Sequence, residues 1–272
     1  MKKYRKSSDC ELTKQEKFVR DHKRYHNKIS SCRFFIFIAF LIIWELAADF
    51  HLIDTFFFSS PSHVILCFVD LITKQSLLLH IGITLLETLL SFLLVFILGM
   101  GTATLLWYSN SLSEISEPYM VVLNSLPKSA LAPLFIVWLG TGTTTIIVAG
   151  ISVAVFGCII SLYTGFRNVD SEKITLIYTL GGKKKDAFQK VVLPGSIPII
   201  LSTMKVNIGL SLVGVIIGEF LAARRGLGYL IIYGSQVFQM HMVITSIVIL
   251  CVIAMGLYQG IQFMEHWYKK KM

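Results

Sequence analysis

The sequence predicts an all-α polytopic membrane protein with about six transmembrane helices. Three observations carry this. Hydrophobic residues make up 54% of the 272 positions and charged residues 15%. Several apolar runs approach the roughly 20 residues that cross a hydrocarbon core about 30 Å thick. The basic residues gather in the connections and at the ends rather than inside the runs. A helix of a water-soluble domain keeps one polar face, and these runs do not.

Residues 1–32 read as a basic cytoplasmic tail and 33–53 as the first transmembrane helix, a retained anchor rather than a cleaved signal, because its basic flank exceeds an ordinary n-region. Residues 54–80 read as an external segment. Ser59-Ser60-Pro61-Ser62 starts a helix well, and Asp70, Lys74 and Gln75 interrupt the apolar spacing that follows, which predicts an interfacial helix. Residues 81–265 form the core, with further spans near 81–107, 118–139, 143–165, 197–222 and 241–264. Residues 266–272 close the chain as a second basic tail.

Charge sets the expected orientation. With the N-terminus in the cytoplasm, the cytoplasmic segments carry 11, 6 and 3 Lys+Arg, in residues 1–33, 166–196 and 265–272, whereas the external segments carry only Lys74, Arg224 and Arg225. That asymmetry predicts both termini in the cytoplasm. It also assigns the net charge of +9 to lipid-facing flanks rather than to nucleic acid.

The third and fifth runs are not uniform lipid-facing helices. Pro118, Pro127 and Pro133 interrupt the third, and interior prolines free carbonyls that protein or water must satisfy. Lys205, Asn207 and Glu219 lie in the fifth, and such groups avoid lipid. Asn124, Pro127, Pro133, Asn207 and Glu219 are the residues expected to line a translocation path. Lys128 and Lys205 also have a plainer reading, as side chains snorkelling to the cytoplasmic face.

Other chemistry is set aside. Cys10, Cys32, Cys67, Cys158 and Cys251 form no CxxC pair and no disulfide framework. His22 and His26 share a helix face within a basic tail but have no acidic or cysteine partner at ligand spacing, so no metal is expected. Gly182-Lys183 lacks the remainder of a phosphate-binding loop, with Ile177 and Lys184 at the other required positions. No Ser, Cys or carboxylate constellation points to an enzyme, and the chain itself is expected to carry no cofactor.

The most informative stretch is LGGKKKDAFQKVVLP, Leu180 to Pro194. Asp170 or Ser171 can cap a helix in which Ile174, Ile177 and Tyr178 share a face. Gly181-Gly182 breaks it. A second short amphipathic helix places Phe188, Val191 and Val192 on one face and Lys184, Lys185 and Lys190 opposite, and Pro194 stops it. Such a knob either inserts into a groove on another protein or rests on lipid headgroups.

This loop resembles the cytoplasmic loop of binding-protein-dependent ABC importer permeases, in which Glu-Ala-Ala, three residues and a glycine are followed by nine residues, an aliphatic residue, one more residue and Leu-Pro. Gly181, Val191 and Leu193-Pro194 keep that spacing, whereas Thr175-Leu176-Ile177 replace Glu-Ala-Ala. LPKSALAPLFIVWLGTG, Leu126 to Gly142, and GEFLAARRGLGYLI, Gly218 to Ile231, are similar to segments of the nitrate, sulfonate and taurine permeases.

The resemblance spans about residues 60–265 and implies a non-catalytic permease subunit of an ATP-driven importer for a small solute. That solute would be of the sulfonate, nitrate or taurine type or a vitamin precursor. The implied partners are ATP-binding cassette ATPase subunits carrying the ATP and Mg, a second permease copy forming a homodimer, an external solute-binding protein and the bilayer. It assigns Tyr178, Gly181, Gly182, Lys183, Lys184, Lys185, Phe188, Val191, Leu193 and Pro194 to ATPase docking. It makes Arg224, Arg225, Gly226, Gly228 and Tyr229 an external gate or binding-protein dock. The alternative is a stand-alone secondary transporter or channel, with Lys205, Glu87 and Glu219 as relay groups.

Overall fold

The computed structural model describes residues 14–74 and 76–271, all of whose regular structure is helical. The first thirteen residues of the basic tail, Cys10 among them, lie outside the described residues. Five helices are long and apolar enough to span a membrane, and a bent pair makes a sixth. The chain is a multi-pass membrane protein.

Residues up to His63 form one compact unit and those from Val64 onward another. In the first, α1 (Lys14–Asp49) runs unbroken from the tail into the apolar anchor and ends just before His51, whose φ of 54° is left-handed. The short α2 (Thr55–Phe58) follows, capped by Asp54. The Glu45 carboxylate accepts from Ser62 N at 3.1 Å and Ser62 Oγ at 2.5 Å. It thereby satisfies donors in the first turn of α3 (Pro61–Lys74), where a helix N-terminus favours an anion. Ser60 Oγ accepts from His63 N, as the Ser-Pro start predicts. At 14 residues α3 is too short to span.

In the second unit α4 (Leu77–Tyr108) starts four residues earlier than the expected 81. The third expected span is a bent pair: α5 (Asn110–Ser125) and α6 (Lys128–Leu139) meet at 93° across Leu126-Pro127. Ser109 caps α5, so it begins well before Pro118, which sits inside the helix, as Pro133 does in α6. Then come α7 (Thr143–Arg167), α8 (Ser171–Thr179), α9 (Lys184–Ala187), a π-helical turn (Phe188–Val192) and α10 (Leu193–Gly195). The long α11 (Ile197–Ala222), α12 (Leu227–Gln236) and α13 (Met240–Lys271) complete the fold.

Helices α4, α7 and α11 form the packed centre. Small residues let them approach. A Cβ on Gly214 would lie 2.8 Å from the Gly150 Cα, and one on Gly150 would lie 2.6 Å from Ser91 Oγ. Without a hydrophobic drive between helices in lipid, such close backbone contact is a main source of association. Phe34, Phe35, Phe37 and Phe40 on α1, and many Leu and Ile on the other long helices, stay exposed, as lipid-facing side chains do.

Candidate functional site

Two features lie at opposite ends of α4. From Thr84 to Tyr108 the helix rises about 36 Å.

At the Tyr108 end is the elbow. Asp170 Oδ1 caps α8 through Glu172 N at 2.9 Å. The helix closes in a Schellman motif: Gly181 N donates to Tyr178 O at 3.0 Å and Gly182 N to Ile177 O at 2.9 Å, with Gly181 at φ 80°. Asp186 Oδ2 then accepts from Lys183 N at 2.9 Å and starts α9. Pro194 has no N–H to continue α-helical bonding, and the preceding turn widens so that Leu193 N reaches Phe188 O.

The elbow corrects one assignment. Phe188 is buried in the chain's own core, with ring centroids 5.1 Å from Trp107, 5.5 Å from Tyr108 and 5.6 Å from Phe166. It is not available to a partner. Leu193 and Ile174 also pack on this core, and Val191 is half-buried. The exposed apolar groups are Leu176, Tyr178 and Leu180, the last 75% exposed at the tip. Lys184, which the resemblance assigns to ATPase docking, donates from Nζ to Tyr108 O at 3.0 Å and lies over the Trp107 ring. It thereby ties the elbow to the C-terminus of α4, where a cation suits the free carbonyls. Gly182, Lys183, Lys185 and Pro194 remain at the surface or half-exposed.

At the Thr84 end, the segment between α11 and α12 is clamped to α4. Glu219 accepts Thr84 Oγ1 on one oxygen and Gly228 N on the other, each at 2.6 Å. Thr84 Oγ1 also accepts Leu227 N at 2.9 Å, and His80 Nδ1 accepts Gly226 N at 3.0 Å. The Tyr229 ring stacks on His80. Gly226 has φ 117°, and a Cβ there would overlap the Glu219 carboxyl group. Glu219, 1% exposed, therefore holds the loop rather than lining a path. His80 and Thr84 were absent from the sequence-derived site. Arg224 and Arg225 stay exposed beside a cavity of about 800 Å³ that Glu87 also lines.

Between the two ends, Asn207 is buried and lines a groove of about 330 Å³ with Gly157, Ser161, Ser202 and Thr203. Its amide donates to Thr203 O at 2.8 Å, while Oδ1 has no partner among the described residues. Asn124 Oδ1 approaches Gly157 from α5. The structure thus brings the two asparagines towards one groove. Pro127 and Pro133 remain exposed on the bent pair. Lys128 Nζ donates to Asn124 O, and Lys205, one of the relay groups of the alternative reading, forms an ion pair with Glu265 of α13. Among the described residues no group of three or more His, Cys, Asp or Glu could hold a metal.

A bundle of apolar helices with a bent span, a glycine elbow at one end and a clamped loop at the other defines a membrane permease subunit. The chain belongs to the family described as binding-protein-dependent transport system inner membrane component, matched over residues 95–262. It is 30% identical over 227 residues to a probable ABC transporter permease protein of Haemophilus influenzae, covering 83% of this chain and 91% of that one. It is 27% identical over 213 residues to the putative aliphatic sulfonates transport permease protein SsuC of Bacillus subtilis, covering 78% and 77%. The fold is similar to that of the MetNI methionine ABC transporter in an inward-facing conformation, with TM-score 0.62 and 18% identity over 69% of this chain and 94% of that one. The chain is therefore a permease subunit of an ABC importer.

Proposed function

We propose that two copies of this permease form the path of an importer whose energy comes from separate ATP-binding cassette subunits, on which ATP and Mg reside. A binding protein delivers the solute to the Arg224–Tyr229 end, and the elbow faces the ATPase in the cytoplasm. The observation that supports this reading most is the exposed Leu176, Tyr178 and Leu180 on a rigidly closed Schellman elbow. Apolar groups at the tip of a well-fixed knob suit a protein groove. The asparagine groove and the exposed Asn124, Pro127 and Pro133 on the bent pair face the second copy, where water or protein satisfies their polar groups.

The test is reconstitution. The permease, its ATPase subunit and the binding protein in vesicles should take up solute only with ATP present. ATP-independent uptake by the permease alone would support the secondary-transporter reading instead.

Topology gives a second check. A cysteine placed at Lys184 should resist membrane-impermeant maleimide in intact cells, and one placed at Arg225 should react. The 20 cytoplasmic against 3 external Lys+Arg predict this result. Labelling at position 184 from outside would invert the orientation and remove the coupling role.

A further inference from the structure

Glu87 of α4 and Glu219 of α11 are each 1% exposed, and their carboxyl groups are hydrogen-bonded to each other. Such a bond needs a proton, because an ionised carboxylate only accepts. The surrounding bonds indicate which group carries it. Gly228 N donates to one oxygen of Glu219 and Thr84 Oγ1 to the other. Glu219 thus accepts on both oxygens, as an ionised carboxylate does. Glu87 shows the opposite pattern. Its other hydrogen-bonding neighbour is Thr143, and no N–H or O–H among the described residues donates to its Oε2. Buried polar oxygens are nearly always satisfied, and a protonated Oε2 is satisfied as a donor, with Glu219 as the carboxylate beside it. Ionising both groups would instead set two like charges together out of water.

We propose that the Glu87–Glu219 pair is a proton-binding site, which holds one proton on Glu87 while residues 223–228 are clamped to α4 and releases it when they detach. The proton leaves to water through the cavity that Glu87 lines. The closed loop then binds one proton more than the open loop. Its clamp is complete at low pH and weakens as pH rises, by up to about tenfold per pH unit in the opening equilibrium. Other ionisable groups at this end do not supply that dependence. His80 Nδ1 lies 3.0 Å from Gly226 N and 3.1 Å from Gly226 O, so it keeps a partner with or without a proton. Arg224 and Arg225 stay charged throughout. Tyr229 and Tyr233 of α12 stay largely neutral below about pH 9. Helices α6 and α7 bring no ionisable side chain to this end, and His241 opens α13.

The test uses the full permease in lipid nanodiscs. In acid, its infrared spectrum should contain a protonated-carboxyl band that Glu87→Gln removes. Amide hydrogen exchange in residues 223–230, referred to that in residues 171–195, should accelerate with rising pH by up to about tenfold per unit. Glu87→Gln should flatten this slope and keep the clamp, because its amide still donates to Glu219. His80→Gln and His241→Gln should keep the slope. Exchange in residues 171–195 is the folding control for each variant. A wild-type profile that is flat between about pH 5 and pH 9, an unchanged slope in Glu87→Gln, or no band lost in that variant overturns the proposal. None of these outcomes bears on the importer reading, which the proton site does not use.

Discussion

Leu180→Asp should release the ATPase subunit while leaving the permease folded, and Phe188→Ala should do the reverse. Leu180 is 75% exposed, and its replacement disturbs no internal packing. Burying a leucine side chain in a partner groove contributes about 1.5–3 kcal/mol, so its loss weakens docking roughly ten- to a hundredfold, before the cost of burying a carboxylate is added. Phe188 instead sits within 5.1–5.6 Å of three aromatic rings of its own chain. Truncating a buried phenylalanine costs about 3–5 kcal/mol through lost transfer energy and the cavity left behind. The measurements are the thermal midpoint of the purified permease and the amount of ATPase subunit co-purified. Leu180→Asp should keep the midpoint and lose the subunit. Phe188→Ala should lower the midpoint first. A normal midpoint in Phe188→Ala, with the subunit lost, would place Phe188 in the docking groove after all.

The elbow shows what pattern alone can and cannot reveal. Gly181, the interval to Val191 and the Leu193-Pro194 end are local features, and local spacing located the turn whose φ of 80° the structure contains. Helical spacing also identified Phe188 as facing something apolar. It could not tell a partner's groove from the chain's own core, because Trp107, Tyr108 and Phe166 come from two other helices. The bent span follows the same logic. Prolines marked a break, but its 93° angle and the earlier start at Asn110 depend on the Ser109 cap and on packing beyond the run. At the opposite end Glu219 stood out as a carboxylate in an apolar run. Thr84, 135 residues away, carries no such signal, since a single threonine is unremarkable in a membrane helix. The same holds for His80, which lies next to the expected start of that helix.

The clamp yields the other large expected effect. Glu219→Ala removes the acceptor for Thr84 Oγ1 and Gly228 N and leaves two buried donors without it, each costing about 1–3 kcal/mol. Gly226→Val attacks the same contact from the other side. Its Cβ overlaps the Glu219 carboxyl group, and φ 117° is a conformation that β-branched residues avoid. Both changes should detach residues 223–228 from α4 without disturbing the elbow, about 36 Å away along that helix. Amide hydrogen exchange in residues 223–230 should accelerate roughly tenfold or more, consistent with an opening made easier by at least 1.4 kcal/mol. Exchange in residues 171–195 should stay unchanged. If the loop is the outer gate, both variants should also leak solute down its gradient without ATP. Glu219→Gln should leak less than Glu219→Ala, because the amide oxygen still accepts one of the two bonds. Faster exchange with no leak would make the loop a structural strap. Unchanged exchange in both variants would mean that the Glu219 contacts do not hold the loop at all.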